Sequence, residues 1–305
     1  MSGKFQGYLF LSLAMILVGS TVIASKIIAV GLAPFGATAL RFAVAFPLFL
    51  ILMWFTRTSW PKLGACDWLL LIAQAGAGSV GYTTLLIAGL SLTSATDAGV
   101  VIGTLPVVSA AIAILLLGER PDRRVLAAIA LAAVGVLTIV FKPGDGGAHS
   151  PLGIALIFGA VVCEGLFILL NKRLKAEISP LALSTLMAGL GFAVALVPAL
   201  VETPSTAQFD RSAIAAVLYY ALIPTVAGFV LWYAGAARVT GTEASVFTAL
   251  APVSAVAFAF LLLGEPVGVH QLLGIGCVLA AVLGLTLPQI RAARRAGRTF
   301  PTAKA

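Results

Sequence analysis

Charge is what this sequence has least of. Asp, Glu, Lys and Arg together make up 10% of its 305 residues, against 61% apolar residues and a mean hydropathy of +1.11. Soluble domains carry about a quarter of their residues as charges, so the chain reads as an integral membrane protein. Histidine is limited to His149 and His270. With no HExxH and no clustered Cys or Asp beside them, neither metal chemistry nor a buried catalytic dyad is visible, and an intramembrane enzyme fits poorly. Cys66, Cys163 and Cys277 form no CxxC and no external pair, so no disulfide is expected. A Walker A sequence is missing, which sets aside ATP-driven pumping by this chain alone. No cofactor is expected.

What the sequence does have is a repeat. A shift of 146 residues places Gly7, Gly19 and Lys26 on Gly153, Gly165 and Lys172, Pro34 on Pro180, Gly89 on Gly235, Thr96 on Thr242 and Pro106 on Pro252. The run Leu115-Leu116-Leu117-Gly118-Glu119 meets an identical Leu261-Leu262-Leu263-Gly264-Glu265, with no gap between. One duplicated unit therefore accounts for nearly the whole chain.

The apolar stretches run for about 20 residues without the alternation of a barrel strand, the length at which a helix crosses about 30 Å of hydrocarbon. They predict spans over 7–28, 36–55, 68–89, 95–117 and 125–141, then 153–174, 180–201, 214–234, 241–263 and 269–288. Ten spans make five per copy. Five is odd, so the second copy lies inverted in the membrane, the architecture of alternating-access carriers. The predicted organisation is a cytoplasmic start at 1–6, repeat 1 over 7–141, a periplasmic linker at 142–152, repeat 2 over 153–288 and a basic cytoplasmic tail at 289–305.

Basic residues orient these spans, because Lys and Arg near span ends stay cytoplasmic. With the amino terminus inside, the cytoplasmic set is Lys4, Arg57, Lys62, Arg120, Arg123, Arg124, Lys172, Arg173, Lys175, Arg238, Arg291, Arg294, Arg295, Arg298 and Lys304. Only Lys26, Lys142 and Arg211 fall outside. The net charge of +8 is explained by this topology, and the basic residues, spread over loops and a tail, do not indicate nucleic acid. The tail is read as a stop-transfer anchor.

Polar groups inside the bilayer are costly and mark the first places to look for function. Glu164 sits mid-span where the first copy has Val18. It reads either as a group that binds a substrate ammonium or couples export to a proton, or as a neutral carboxyl hydrogen-bonded to a neighbouring helix. Arg41 lies close enough to a span end to snorkel to the headgroups, and Lys26 and Lys172 read as interfacial anchors. Gln74, Gly78 and Tyr82 recur every four residues and share a helix face; the second copy offers Tyr220, Pro224, Gly228 and Trp232 at that spacing. The mixture suits the wall of a mostly apolar cavity, with Trp54 and Trp68 as interfacial belt residues. Pro106 and Pro252, at matched mid-span positions, are candidate hinges or static kinks. Gly76, Gly78, Gly99, Gly103, Gly274, Gly276 and Gly284 are read as packing glycines.

Two five-span copies, each with a Pro midway through its fourth span and a Leu-Leu-Gly-Glu ending to it, resemble the drug/metabolite transporter superfamily, and within it the EamA family, over residues 7 to about 288. Ser94 to Ala98 and Gly241 to Ser245 resemble that family's small-residue start of the fourth and ninth helices. Glu119 and Glu265 match its Gly-Glu signature, a helix-end marker and not a substrate ligand. The resemblance implies an all-α fold of ten transmembrane helices in two inverted repeats. It implies a cavity lined by the first, third, fourth, sixth, eighth and ninth helices, and export of amino acids or related metabolites, as in bacterial exporters of the YddG type. Alternatives are a hydrophobic-drug exporter of the same superfamily and, further off, a scaffold, sensor or passive channel. The expected partners are a small-molecule substrate and the lipid bilayer, with proton coupling through Glu164 as one reading, and a monomer or weak homodimer.

The charge bias predicts that an impermeant thiol reagent labels Gly146→Cys from the outside of intact cells and Gly297→Cys only after permeabilisation. Labelling of both from one side would overturn the inverted arrangement.

Overall fold

The computed structural model describes residues 3–117, 123–140, 150–174, 176–202, 210–236, 238–239, 247 and 250–295. Helices α1 to α7 run over Gly3–Gly31, Pro34–Phe55, Ala65–Gln74, Tyr82–Leu92, Ala95–Ile102, Leu105–Leu117 and Arg123–Val140. Helices α8 to α13 run over Pro151–Arg173, Pro180–Val201, Arg211–Tyr220, Gly228–Ala236, Leu250–Leu263 and Val269–Arg295. Two π-helical segments, π1 at Ala75–Gly81 and π2 at Ala221–Ala227, join α3 to α4 and α10 to α11.

Among the described residues, six continuous rods are long and apolar enough to cross a membrane: Phe5–Gly31, Pro34–Phe55, Ala65–Leu92, Pro151–Asn171, Pro180–Val201 and Arg211–Ala236. The expected spans at 95–117, 125–141 and 269–288 correspond to α5 with α6, α7 and α13. The expected span at 241–263 is represented by α12, because 241–246 and 248–249 lie outside the described residues, as do Glu119, residue 141, the 142–149 part of the linker with His149, and the tail from 296.

Local chemistry explains where the rods start. Pro34, Pro151 and Pro180 open α2, α8 and α9, at the one helical position where a missing N–H costs nothing. Ser94, Ser150, Ser179 and Asp210 cap α5, α8, α9 and α10 by accepting from backbone N–H groups. At Asp210 the Ser212 hydroxyl and N–H both donate, and these bonds hold the carboxyl below its ordinary range and keep the cap ionised.

The 146-residue register extends to the elements. It carries α2 onto α9, α3 onto α10 and π1 onto π2, each with both ends matched. The fourth span departs from expectation. It is not one helix: α5 ends at Ile102, Gly103 and Thr104 form a turn, and Pro106 sits in the first turn of α6. Pro106 therefore follows a break instead of kinking a continuous helix. Thr104 closes the turn, its hydroxyl donating to the Val101 carbonyl at 2.6 Å.

Two compact units are present, and each draws on both copies. The first is built on Met1–Ile23, Ser94–Gly147 and Ala227–Ala305, the second on Ala24–Thr93 and Ala148–Val226. In the second unit α2 packs on α9 and α4 on α8. A Cβ built on Gly89 would stand 2.6 Å from Ile157 Cγ1 and 2.9 Å from the Gly153 carbonyl oxygen, so these two backbones touch. In the first unit α7 packs on α13 and α5 on α12. There the repeat-matched glycines make the matched approach: a Cβ on Gly7 would stand 3.3 Å from the Gly235 carbonyl oxygen, and one on Gly235 3.0 Å from Leu11 N. Gly99 and Gly103 also pack closely, Gly103 against Pro252 and Val278. Gly76, Gly276 and Gly284 do not, since an added Cβ meets nothing within 4 Å at any of them.

Carboxylates and a lysine also serve helix ends. In the first unit Glu265 accepts from Ala95 N at 2.9 Å, Thr96 N at 2.8 Å and the Thr96 hydroxyl at 2.9 Å. Buried Gln271 beside it donates to Asp97 at 2.9 Å. The Gly-Glu ending of the second copy thus caps the small-residue start of α5 in the first. In the second unit Glu202 accepts from Gly36 N at 2.9 Å, and Lys26 Nζ donates to the Leu90 and Thr93 carbonyls at 2.7 and 2.6 Å. Lys26 is a cap for the end of α4.

Gly89→Val is expected to cost about 1–3 kcal/mol, the range for overpacking a filled contact. Gly276→Ala should be neutral or stabilise by up to about 1 kcal/mol, the helix-propensity difference. Thermal denaturation of the purified protein in detergent compares the two.

Candidate functional site

The chemistry of the second unit gathers where α2, α8, α10 and π1 bring their polar residues together. π1 contains three glycines in seven residues, Ala75-Gly76-Ala77-Gly78-Ser79-Val80-Gly81, a composition that holds an α-helix weakly and tolerates a wider turn. Its carbonyls are served from the next turn, Thr83 donating to Ser79 at 3.0 Å and Thr84 to Val80 at 2.9 Å. π2 reaches the same form by another route. Pro224 has no N–H to give the Tyr220 carbonyl, and the Thr225 hydroxyl donates to it instead at 2.9 Å.

Arg41 on α2 lies between these two loosened segments and is only 7% exposed. Its guanidinium carbon stands 4.1 Å from the centre of the Phe42 ring and 4.5 Å from that of Tyr220. Nη2 donates to the Ser79 carbonyl at a long 3.3 Å, the Tyr220 side chain adds a polar contact, and Nε has no partner. Tyr82 and Glu164 lie within electrostatic reach of it, without a direct ion pair between Arg41 and Glu164. Two aromatic faces contribute about 0.5–2 kcal/mol each, whereas an ion removed from water loses several kcal/mol.

Of the residues singled out for a cavity wall in the sequence, Gln74, Gly78, Tyr82, Glu164, Tyr220 and Pro224 fall in this second unit. Glu164 and Tyr82 are half-buried and Tyr220 is buried. Gln74 is fully buried, its Nε2 3.4 Å from the Phe167 carbonyl and its Oε1 without a partner. Gly78 faces Phe167. A Cβ there would stand 2.3 Å from the Phe167 ring, so the glycine makes room for that side chain.

Gly228 and Trp232 belong to the first unit. Trp232 packs there beside Ala14, Met15 and Ala251 with Phe247, and buried Gly228 opens α11. Pro106 and Pro252 are in the first unit too. Arg41 does not snorkel: seven residues into α2, its side chain turns inward onto Tyr220 and Ser79. Trp54 is 75% exposed and Trp68 is exposed as well, in keeping with a lipid-interface position. A groove of about 600 Å³ at the end of α2, lined by Leu50, Trp54, Arg57 and Trp60 among others, shares no residue with the Arg41 cluster.

The sequence model of the EamA-like transporter family matches this chain twice, at residues 5–141 and 151–287. The uncharacterized transporter YetK of Bacillus subtilis (strain 168) is 35% identical over 287 residues, covering 92% of this chain and 86% of its own length. A "Probable terminal-alkyne amino-acid exporter" of Streptantibioticus cattleyicolor is 31% identical over 75% of this chain and 77% of its own. A "Probable amino-acid metabolite efflux pump" of Salmonella typhimurium is 30% identical over 54% and 58%. One solved crystal structure superposes with a TM-score of 0.63 at 19% identity, covering 95% of this chain and 98% of that one, a likeness of fold.

Tyr82→Ala and Trp232→Ala are each expected to lower transport by about tenfold, the loss of a half-buried aromatic anchor. Trp54→Ala and Trp68→Ala should leave it within about twofold, as exposed sites do. Uptake into inverted vesicles, normalised to protein amount and melting temperature, tests this; equal losses at all four would assign the whole set to the lipid interface.

Proposed function

We propose that this chain, which belongs to the EamA-like transporter family and is a transporter and not an enzyme, exports amino acids with large neutral side chains across a bacterial inner membrane. The observation that carries the reading is Glu164, a half-buried acid in the middle of α8 within electrostatic reach of a buried arginine, which Tyr82 and Tyr220 also face. An acid held at that depth is a place for a substrate ammonium or for a proton. Aromatic faces at Tyr82 and Tyr220 and the amide of Gln74 suit a solute with an apolar side chain and polar head. The names of the Streptantibioticus and Salmonella relatives point to amino acids and their metabolites.

In this reading the ten spans form two inverted five-helix repeats with both termini cytoplasmic, and transport proceeds by alternating access. The matched contacts Gly7 with Gly235 and Gly89 with Gly153 support a twofold relation between the copies. The bending points are the Gly103-Thr104 break ahead of Pro106, the proline at Pro252, and the two π segments. A second reading, export of hydrophobic drugs, is favoured by the aromatic faces of Tyr82 and Tyr220, which suit an apolar solute as well.

Purified protein in liposomes, given labelled amino acids with and without a proton gradient, tests the proposal. If Glu164 carries a proton, Glu164→Gln abolishes the gradient dependence while preserving folding. If it holds the ammonium, Gln weakens amino-acid transport by about tenfold or more, the loss of one charge-assisted bond, and spares neutral solutes. Unchanged affinity and unchanged gradient dependence would reject both roles.

A further inference from the structure

Arg41 sits in an environment too specific for a packing residue. A guanidinium presents five N–H donors in a planar fork matched to a carboxylate. Here its hydrogen bonding amounts to one long bond to a carbonyl and a polar contact with Tyr220, while Nε, fully enclosed, has none. The rings of Phe42 and Tyr220 hold the guanidinium in place, so its orientation is fixed before any ligand arrives. A structural arginine at this depth would be expected to form an ion pair or to exhaust its donors on carbonyls. Arg41 does neither. Gln74, also fully buried, keeps its Oε1 unpartnered in the same unit, and Glu164 adds an acid within electrostatic reach.

We infer that Arg41 is the anchor for the carboxylate of the transported solute, with Glu164 supplying the opposite pole for its ammonium. The inference rests on the amino-acid reading and sharpens it to the zwitterionic head group. One buried cation and one acid within its electrostatic reach leave the cluster neutral overall, and a zwitterion keeps it neutral on binding. A phosphorylated solute would bring two negative charges to a single arginine. A drug without a carboxylate would leave the fork unfilled, at the cost of an unmade charge-assisted bond. Tyr82 and Tyr220, both near the guanidinium, place aromatic surface beside the carbon that carries the two charges.

Calorimetric titration of the full-length protein in detergent, with four compounds that share one side chain, separates the possibilities. These are phenylalanine, phenylalaninamide, phenethylamine and 3-phenylpropionate. Phenylalanine is expected to bind about 10- to 100-fold more tightly than its amide or the amine, the worth of one charge-assisted pair. Arg41→Lys, which keeps the charge but loses the fork, should remove most of that difference and leave phenethylamine binding as it was. A purely structural Arg41 would shift all four compounds together. Equal binding of amide, amine and amino acid by the unaltered protein overturns the inference without any variant having to fold. Failure of both phenylalanine and 3-phenylpropionate to bind also overturns it. Binding of 3-phenylpropionate in an Arg41-dependent way, with no binding of phenylalanine, upholds the carboxylate anchor and refutes amino-acid export.

Discussion

Close approach of helix backbones at paired glycines is the contact on which this structure depends. In lipid the tails are as apolar as the side chains, so helices gain little from burying leucine and must instead gain from van der Waals fit. Gly89 against Gly153 and Gly7 against Gly235 bring carbonyl oxygens within about 3 Å of where a Cβ would stand. Each pair joins a helix of one copy to a helix of the other. With those crossings set, α4 lies along α8, and the polar residues of α8 are carried to π1 and to the end of α3.

That placement explains the tolerance for loosened helices at π1 and π2. Irregular backbone inside a membrane leaves carbonyls that water cannot serve, and each must find a donor in the protein. Thr83, Thr84 and Thr225 do this locally, and Arg41 adds a donor to the Ser79 carbonyl. The arginine and the π segment support one another: the widened turn offers an oxygen, and the cation gains a partner at a depth where partners are few. The two copies reach the same backbone by different sequences, glycines in one and Pro224 with Thr225 in the other. The backbone form is thus shared where the side chains are not.

Much of this was legible in the sequence. Pro180 opens its helix where the predicted span begins, Pro34 opens α2 two residues ahead of the predicted start at 36, the third and eighth spans are continuous rods, and the 146-residue register holds to the residue across α2 with α9 and π1 with π2. Gly7, Gly89, Gly153 and Gly235 were visible as matched positions, though the matching alone could not say which touches which. Three features were not legible. A π turn changes hydrogen-bond partners by one residue and leaves the hydrophobic pattern intact. The break before Pro106 depends on a turn at Gly103-Thr104 that periodicity does not report. Arg41 near a span end is equally consistent with reaching lipid headgroups or a tyrosine, and only its tertiary neighbours decide. The candidate residues also divide between two compact units, with Trp232 in one and Glu164 in the other, a division that no linear stripe reveals.

The cap at Glu265 has a consequence for the half-length unit. The carboxylate closing the start of α5 comes from the other copy, and so do Gly235 for Gly7 and Gly153 for Gly89. A polypeptide of one copy alone would leave backbone N–H groups uncapped and glycine faces bare within hydrocarbon. It could close them only with a second identical chain. Tandem duplication thus converts a subunit interface into an interior, and frees the two formerly identical positions to diverge, as Val18 and Glu164 have done.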